Sequence, residues 1–548
     1  MAVGRRFGAT RRTTTAVLTG TIGILSSLAV AVPVWAQQAP ADGYFATPPP
    51  VDMGKLLPDS RQPDKKYKPS KACVQRSTLG QNIILKSRPW GQEYLQISKA
   101  QEIVRAATGG SAGGGVKVAV IDTGVTRHPW FQDRLKSGGE YVAKPTNGQP
   151  DGLEDCDGHG TEVAGIIAAK PDNPEVGFVG VAPDATIVSY RQLSENYEPD
   201  TSTSTPPASN TAGGSPSSST TPPTGSGSAL PPSGGGGTGS GSGSGSGDGD
   251  QTSPGQSNGG RQLEKAGTAG TLKTLAEIIR GIADRREADV INMSVDNCRT
   301  ATGNITEGEQ QVQAAVHYAA QAGIVVVAAA GNATDTCPQN DQPDAKKPKT
   351  IVTPPWFADD VLSVGAIDEF GSVASFSVHG PWVGVAAPGT KIISLDPAEG
   401  SNSLANLTFE SGDKASEIQG TSFAAPYVAG LAALVKAKYP NLTAKGIINR
   451  IKETAQHPAA PGGRDNFVGY GVIDPVAALT QSLPSEVGNQ APIPPPQLAQ
   501  LPPANDRSST PMIVALAGTG GGLVALLITL FVMRTIRRNR PAETASRR

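Results

Sequence analysis

Val118-Ala-Val-Ile-Asp122-Thr-Gly-Val125 is an apolar strand that ends on an aspartate. Its hydrophobicity is continuous, not alternating, which marks a strand covered on both faces, as in a parallel sheet clothed by helices. Runs of the same kind recur at 116–121, 186–190, 290–295, 324–330 and 361–367. Between them lie stretches of helical spacing at 161–169, 272–284 and 310–321; Leu272, Leu275, Ile278, Ile279 and Ile282 are the clearest stripe. The pattern predicts an α/β fold with a doubly wound parallel sheet. Sheets of this class bind ligands at the carboxyl ends of their strands, where Asp122 stands.

Two further segments put a reactive side chain at the end of an element. Asp157-Gly-His159-Gly-Thr-Glu-Val-Ala-Gly165 sets a histidine between glycines where a helix begins, and Gly420-Thr-Ser422-Phe-Ala-Ala-Pro426 sets a serine at the start of another. A helix N-terminus offers unpaired N–H groups and partial positive charge to an oxyanion. Each segment alone reads as readily as structure: a strand-end cap, a packed histidine, a common helix start. Together they supply a nucleophile, a base, and an acid to fix the base's tautomer. Asp122-Thr-Gly also spells an aspartic-protease motif, but that chemistry needs two carboxylates sharing a proton, and no second Asp-Thr-Gly or Asp-Ser-Gly occurs.

In the chain order Asp, His, Ser, these segments resemble the three signatures of the subtilisin-like serine proteases. Ala328-Ala-Ala-Gly331-Asn332 is similar to the oxyanion-hole segment of that family. The resemblance covers about 79–200 and 268–482 and implies the roles residue by residue. Ser422 would be the nucleophile, His159 the base and Asp122 its orienting acid. Asn332 and the Ser422 N–H would be the oxyanion donors. No cofactor is implied; subtilases often bind calcium structurally, and no clean oxygen-ligand loop is evident here. One departure stands out. Many subtilases follow Asn-Met-Ser with Leu-Gly-Gly, whereas Ser294 is followed by Val295, Asp296 and Asn297. In the family that strand pairs with substrate backbone beside the first specificity pocket, so the resemblance does not fix the pocket's shape.

The two ends set the compartment. Residues 1–36 read as a signal peptide, with Arg5, Arg6, Arg11 and Arg12 before an apolar segment and Val34-Trp35-Ala36 at the cleavage position. Residues 512–533 carry no charge and are long enough to span a bilayer, and Arg534, Arg537, Arg538 and Arg540 follow in a basic tail, 534–548. This predicts a single-pass type I protein of the cell membrane, with everything between the apolar segments on the extracytoplasmic side. A formal charge of −1 argues against a nucleic-acid-coating protein, and 17% charged residues are too few for a coiled coil.

Between the ends, 37–78 is a Pro-rich extension, 79–483 is the globular peptidase domain, and 484–511 is a Pro-rich stalk. Of residues 201–260, 50 of 60 are Gly, Ser, Thr or Pro, so 198–266 is expected to be a flexible insertion within one domain. No separate inhibitory prodomain is evident, and 37–78 is expected to wrap the domain. This architecture resembles the mycosins, membrane-anchored proteases of actinobacterial type VII secretion. Val378-His-Gly-Pro-Trp-Val-Gly-Val-Ala-Ala-Pro-Gly389 and Val468-Gly-Tyr-Gly-Val-Ile-Asp-Pro-Val-Ala-Ala-Leu479 look typical of that group. The resemblance implies cleavage of secreted polypeptides and a place in a secretion membrane complex. The alternative is a structural component of that complex whose protease site is gated or dispensable.

Outside the membrane the four cysteines can oxidise, with three possible pairings. Cys298 and Cys337 each lie just beyond the end of a parallel strand in one strand–helix–strand unit, which favours pairing them and leaves Cys73 with Cys156. A zinc site is the rival, but no Cys-x-x-Cys spacing exists. His128, His317, His379 and His457 read as structural.

Overall fold

The computed structural model describes residues 47–78, 84–143, 152–203, 261–265, 267–302, 304–341, 347–409, 415–486 and 510–538. Seven parallel strands form the central sheet: β1 (Lys117–Asp122), β2 (Leu135–Glu140), β3 (Thr186–Arg191), β4 (Val290–Met293), β5 (Val325–Ala329), β6 (Leu362–Ile367) and β7 (Val383–Pro388). Their order is β7-β6-β5-β4-β1-β3-β2, so the direction of travel reverses around β1.

The continuous apolar runs have a direct structural cause. Alternate side chains of one strand enter two separate cores. Val118 and Val120 belong to one, Ala119 and Ile121 to the other; Val325 and Val327 part from Val326 and Ala328 in the same way. The first core is roofed by α1 (Ile97–Thr108), α2 (His159–Ala168) and α5 (Thr421–Lys438), the second by α3 (Leu272–Arg285) and α4 (Glu307–Gln321). α4 starts at Glu307, three residues before its apolar stripe. Thr306 Oγ1 accepts the Glu309 N–H and the Glu309 carboxylate accepts the Thr306 N–H, closing a capping box.

The edge strands β2 and β7 were not predicted. β2 reads Leu-Lys-Ser-Gly-Gly-Glu because Tyr190 and Tyr141 fill the space its side chains would take: a Cβ on Gly138 would lie 2.4 Å from the Tyr190 ring. Aromatic volume from neighbours substitutes for apolar residues on the strand itself.

The N-terminal extension lies along the domain. Tyr67–Pro69 pairs antiparallel with Tyr197–Pro199, and Gln75–Thr78 pairs antiparallel with the strand Leu404–Phe409. Asp59 accepts from the Tyr141 hydroxyl and from Arg285, both at 2.8 Å, and the Pro49 carbonyl accepts from Gln313. Cys73 is bonded to Cys156 and Cys298 to Cys337. The segment expected to be a flexible insertion has ordered flanks: residues 197–199 pair as above, and Arg261–Gln262 runs parallel to Val295–Asp296. Residues 204–260 lie outside the described residues, as do 1–36, 487–509 and 539–548.

Residues 482–548 form a second unit. It contains a 29-residue helix, Thr510–Arg538, whose side chains are described from Gly522 onward. Leu523, Leu526, Leu527, Ile528, Leu530 and Phe531 are all exposed on it. Among the described residues no helix is long and apolar enough to cross a membrane; the first ten side chains of the span expected at 512–533 fall outside the described residues.

Candidate active site

Asp122 ends β1, His159 opens α2 and Ser422 sits in the first turn of α5, so three elements deliver their ends to one side of the sheet. His159 Nδ1 is 2.7 Å from Asp122 Oδ1, which also accepts the Thr123 N–H at 2.8 Å. The two glycines around His159 are steric requirements. Gly158 adopts φ +80°, and a Cβ on Gly160 would lie 2.0 Å from the Gly124 carbonyl oxygen. The imidazole packs on the Phe423 ring, centroids 5.0 Å apart, which places it against the residue following Ser422.

A hydrogen-bonded frame absent from the sequence reading holds this corner. Asp155 Oδ1 accepts from the Thr123 hydroxyl (2.7 Å) and the Gly158 N–H (2.8 Å), and Asp155 Oδ2 accepts from the Thr161 N–H and hydroxyl. Asp157 accepts from the Ser194 hydroxyl and the Glu195 N–H. The cluster Asp155-Cys-Asp157-Gly-His159 was the available signal, since acidic residues just before a helix start cap it.

Asn332 follows Gly331, whose φ is +99° and whose absent Cβ would lie 2.9 Å from Val352. Asn332 Oδ1 accepts the Thr421 N–H at 3.0 Å and the Thr421 hydroxyl at 3.2 Å. The carboxamide is thereby oriented with its Nδ2 donors left over. His159 Nε2, Ser422 Oγ, Asn332 Nδ2 and Asp122 Oδ2 are all buried and have no hydrogen-bond partner among the described residues. His159 Nε2, Ser422 Oγ and Asn332 Nδ2 therefore remain available to another molecule's atoms. The Ser422–His159 hydrogen bond is not closed in this state; such bonds often tighten only with substrate bound.

Beside the cleft, Ser294 Oγ donates to the Ser422 carbonyl, and Asn292 Nδ2 donates to Ser294 Oγ. Next along, the Leu263 N–H donates to the Asp296 carbonyl. Arg76 of the extension pairs with Glu162 of α2 at 2.6 Å, both side chains essentially inaccessible, and also donates to the Asp157 carbonyl and Thr408 Oγ1. Burial pushes the Glu162 carboxyl up in pKa, and Arg76 opposes that shift. The other histidines lie elsewhere in the fold. His128 is buried against the Ser403 carbonyl and held down to a pKa of about 4 by desolvation, and His317 pairs with Asp360. His379 packs edge-on against Phe467, and His457 meets the Glu453 carbonyl. Among the described residues no group of three or more His, Cys, Asp or Glu is placed to hold a metal ion.

Comparison with known proteins follows the same lines. The Subtilase family matches residues 113–471. Mycosin-1 of Mycolicibacterium smegmatis is 35% identical over 532 residues, covering 94% of this chain and 98% of that protein. The solved structure of the serine protease MycP1, described as an essential component of the type VII (ESX-1) secretion system, matches with TM-score 0.61 and 36% identity over 80% of this chain and 100% of that one. A chain in the structure of an intact ESX-5 inner membrane complex matches with TM-score 0.60 and 34% identity, over 90% and 100%. The chain belongs to the subtilase family of serine peptidases and, within it, to the mycosins.

Proposed function

We propose that this mycosin cleaves polypeptides with Ser422 as nucleophile, His159 as general base and acid, and Asp122 as the group that orients and stabilises the imidazolium. The carrying observation is the 2.7 Å Asp122–His159 contact with His159 Nε2, Ser422 Oγ and Asn332 Nδ2 buried and unpartnered around one cleft. In acylation His159 Nε2 takes the Ser422 proton as Oγ attacks the scissile carbonyl, then hands it to the leaving amine. Water repeats the sequence to release the acid. The Asn332 amide and the Ser422 N–H at the start of α5 receive the oxyanion. Asn332 is already oriented by Thr421, so little reorganisation accompanies the step.

The described helix Thr510–Arg538, with its exposed apolar side chains and terminal arginines, supports an anchor at 512–533. The domain would then lie on the extracytoplasmic face, after export directed by 1–36, with 484–511 as spacer. The relatives solved within the type VII system support association with such a membrane complex. A second, structural role within such a complex is favoured by the neighbour solved as part of an intact ESX-5 inner membrane complex. The test is digestion of a denatured protein mixture by the full chain and by Ser422→Ala. New cleavage sites with wild type alone support the peptidase; identical digests contradict it. Assembly of the secretion complex retained with Ser422→Ala and lost on deletion of the chain would establish both roles.

A further inference from the structure

We propose that Asp155 is a positioning residue of this active site, holding the strand end that carries Asp122 in register with the helix start that carries His159. The inference rests on the peptidase reading above and deepens it. α2 opens on Gly158, an N-cap with φ +80° and no side chain to cap the helix. The N–H groups of its first turn lack partners within the helix and must be met from elsewhere. Thr123 and Asp155 meet them. Thr123 Oγ1 accepts the Gly160 N–H at 3.0 Å. Asp155 accepts the Gly158 N–H on Oδ1 and the Thr161 N–H on Oδ2, both at 2.8 Å. Part of the cap on the histidine's helix is thus supplied by the residue that follows Asp122.

Asp155 joins the two sides. Its Oδ1 also accepts the Thr123 hydroxyl and its Oδ2 the Thr161 hydroxyl, each at 2.7 Å. Both hydroxyls donate to the carboxylate while accepting a backbone N–H, Thr123 from Gly160 and Thr161 from Thr126. The bonds therefore run from the residue after Asp122, through Asp155, to the residues on both sides of His159. Thr123 and Thr161 are 0% exposed and Asp155 is 7% exposed, so solvent competes little for these bonds. His159 needs such a frame because both its chain neighbours are glycines, which leave the backbone conformationally free. The 2.7 Å Asp122–His159 contact joins positions 37 residues apart, and an error of about 1 Å in such an alignment costs about 100-fold in rate. Asp155 acts through Thr123, Gly158 and Thr161, not on the reacting atoms.

The experiment follows labelling of Ser422 by a fluorophosphonate probe in the full-length chain, across probe concentrations and below the melting temperature of every variant. The maximal rate reports the chemical step and the half-saturating concentration reports binding. Asp155→Ala is expected to lower the maximal rate about 100-fold, and Thr123→Val, which keeps the side-chain shape, about tenfold. Half-saturation should stay within about twofold of wild type in both. Thr123→Ser, which restores the hydroxyl, should recover the wild-type rate. Asp59→Ala removes the extension's bonds to Tyr141 and Arg285, and should melt lower yet label at the wild-type rate. A wild-type rate in folded Asp155→Ala or Thr123→Val, no recovery in Thr123→Ser, or an equal loss in Asp59→Ala overturns the inference while leaving the peptidase reading intact. If Asp155→Ala does not fold, the two Thr123 variants decide it. Absence of any labelling in folded wild type beyond that of Ser422→Ala overturns the peptidase reading itself, and the inference falls with it.

Discussion

Ser294 Oγ donates a hydrogen bond of 2.7 Å to the main-chain carbonyl of Ser422, 128 residues away. The reason lies in Pro426. It sits inside α5 and has no N–H, so the carbonyl four residues before it, that of Ser422, loses its helical donor. Ser294 replaces that donor and fixes the backbone from which the proposed nucleophile projects. Ser294→Ala leaves this buried carbonyl unsatisfied, at a cost of about 1–3 kcal/mol. The variant is expected to lower kcat about tenfold with little change in KM. Steady-state hydrolysis alongside a thermal melt checks it.

Asn332 is oriented by accepting twice from Thr421, so its Nδ2 is aimed before substrate arrives. Asn332→Ala is expected to reduce kcat by about 100- to 1,000-fold and leave the fold intact, as for removal of one oxyanion donor. Thr421→Val keeps the Thr421 N–H to Asn332 but removes the hydroxyl, and should cost only several-fold. Comparing kcat for the two variants separates the donor from its support.

Arg76 comes from the extension, yet it satisfies a buried glutamate on the helix that opens with His159. Arg76→Ala strands Glu162 in a site with no solvent access, and breaking such a pair costs about 3–5 kcal/mol. The expected result is a melting temperature lower by several degrees, measured by calorimetry on the full chain. A removable prosegment would predict no loss.

Asp296 adds a pH dependence to stability. Burial raises its carboxyl to about 7, above the value of an unfolded aspartate near 3.9. A raised acid favours the fold while protonated, so this contribution is present below about pH 4 and is lost as pH climbs through 7. The ionised form at pH 8 should cost on the order of 4 kcal/mol. Asp296→Asn is therefore expected to melt close to wild type at pH 4 and above it at pH 8. Melts of both proteins at the two pH values decide it.

The sheet was largely legible because its central strands feed two cores and so carry unbroken apolar runs, as at Val118 to Ile121. β2 was not, since Tyr190 and Tyr141 supply the volume that its glycines lack. Asp122, His159 and Ser422 could be named only together, and Asn332 only through the family resemblance, because each segment alone reads equally as a cap, a packed histidine or a helix start. Their supports could not. Ser294 to Ser422, Arg76 to Glu162 and Asn332 to Thr421 join segments from 86 to 128 residues apart, and no periodicity records such pairs. Only Pro426, a proline inside a helical stripe, hinted that a carbonyl would need another donor. Three-residue pairings such as Tyr67–Pro69 with Tyr197–Pro199 are too short to carry a pattern.

The central claim is that Ser422 is a nucleophile activated by His159. Fluorophosphonate treatment of the folded full-length chain, followed by peptide mass mapping, tests it most directly. The account predicts one adduct on the peptide carrying Ser422, slowed at least a thousandfold in His159→Ala and absent in Ser422→Ala. An adduct at another residue, or equal labelling of wild type and His159→Ala, would contradict it.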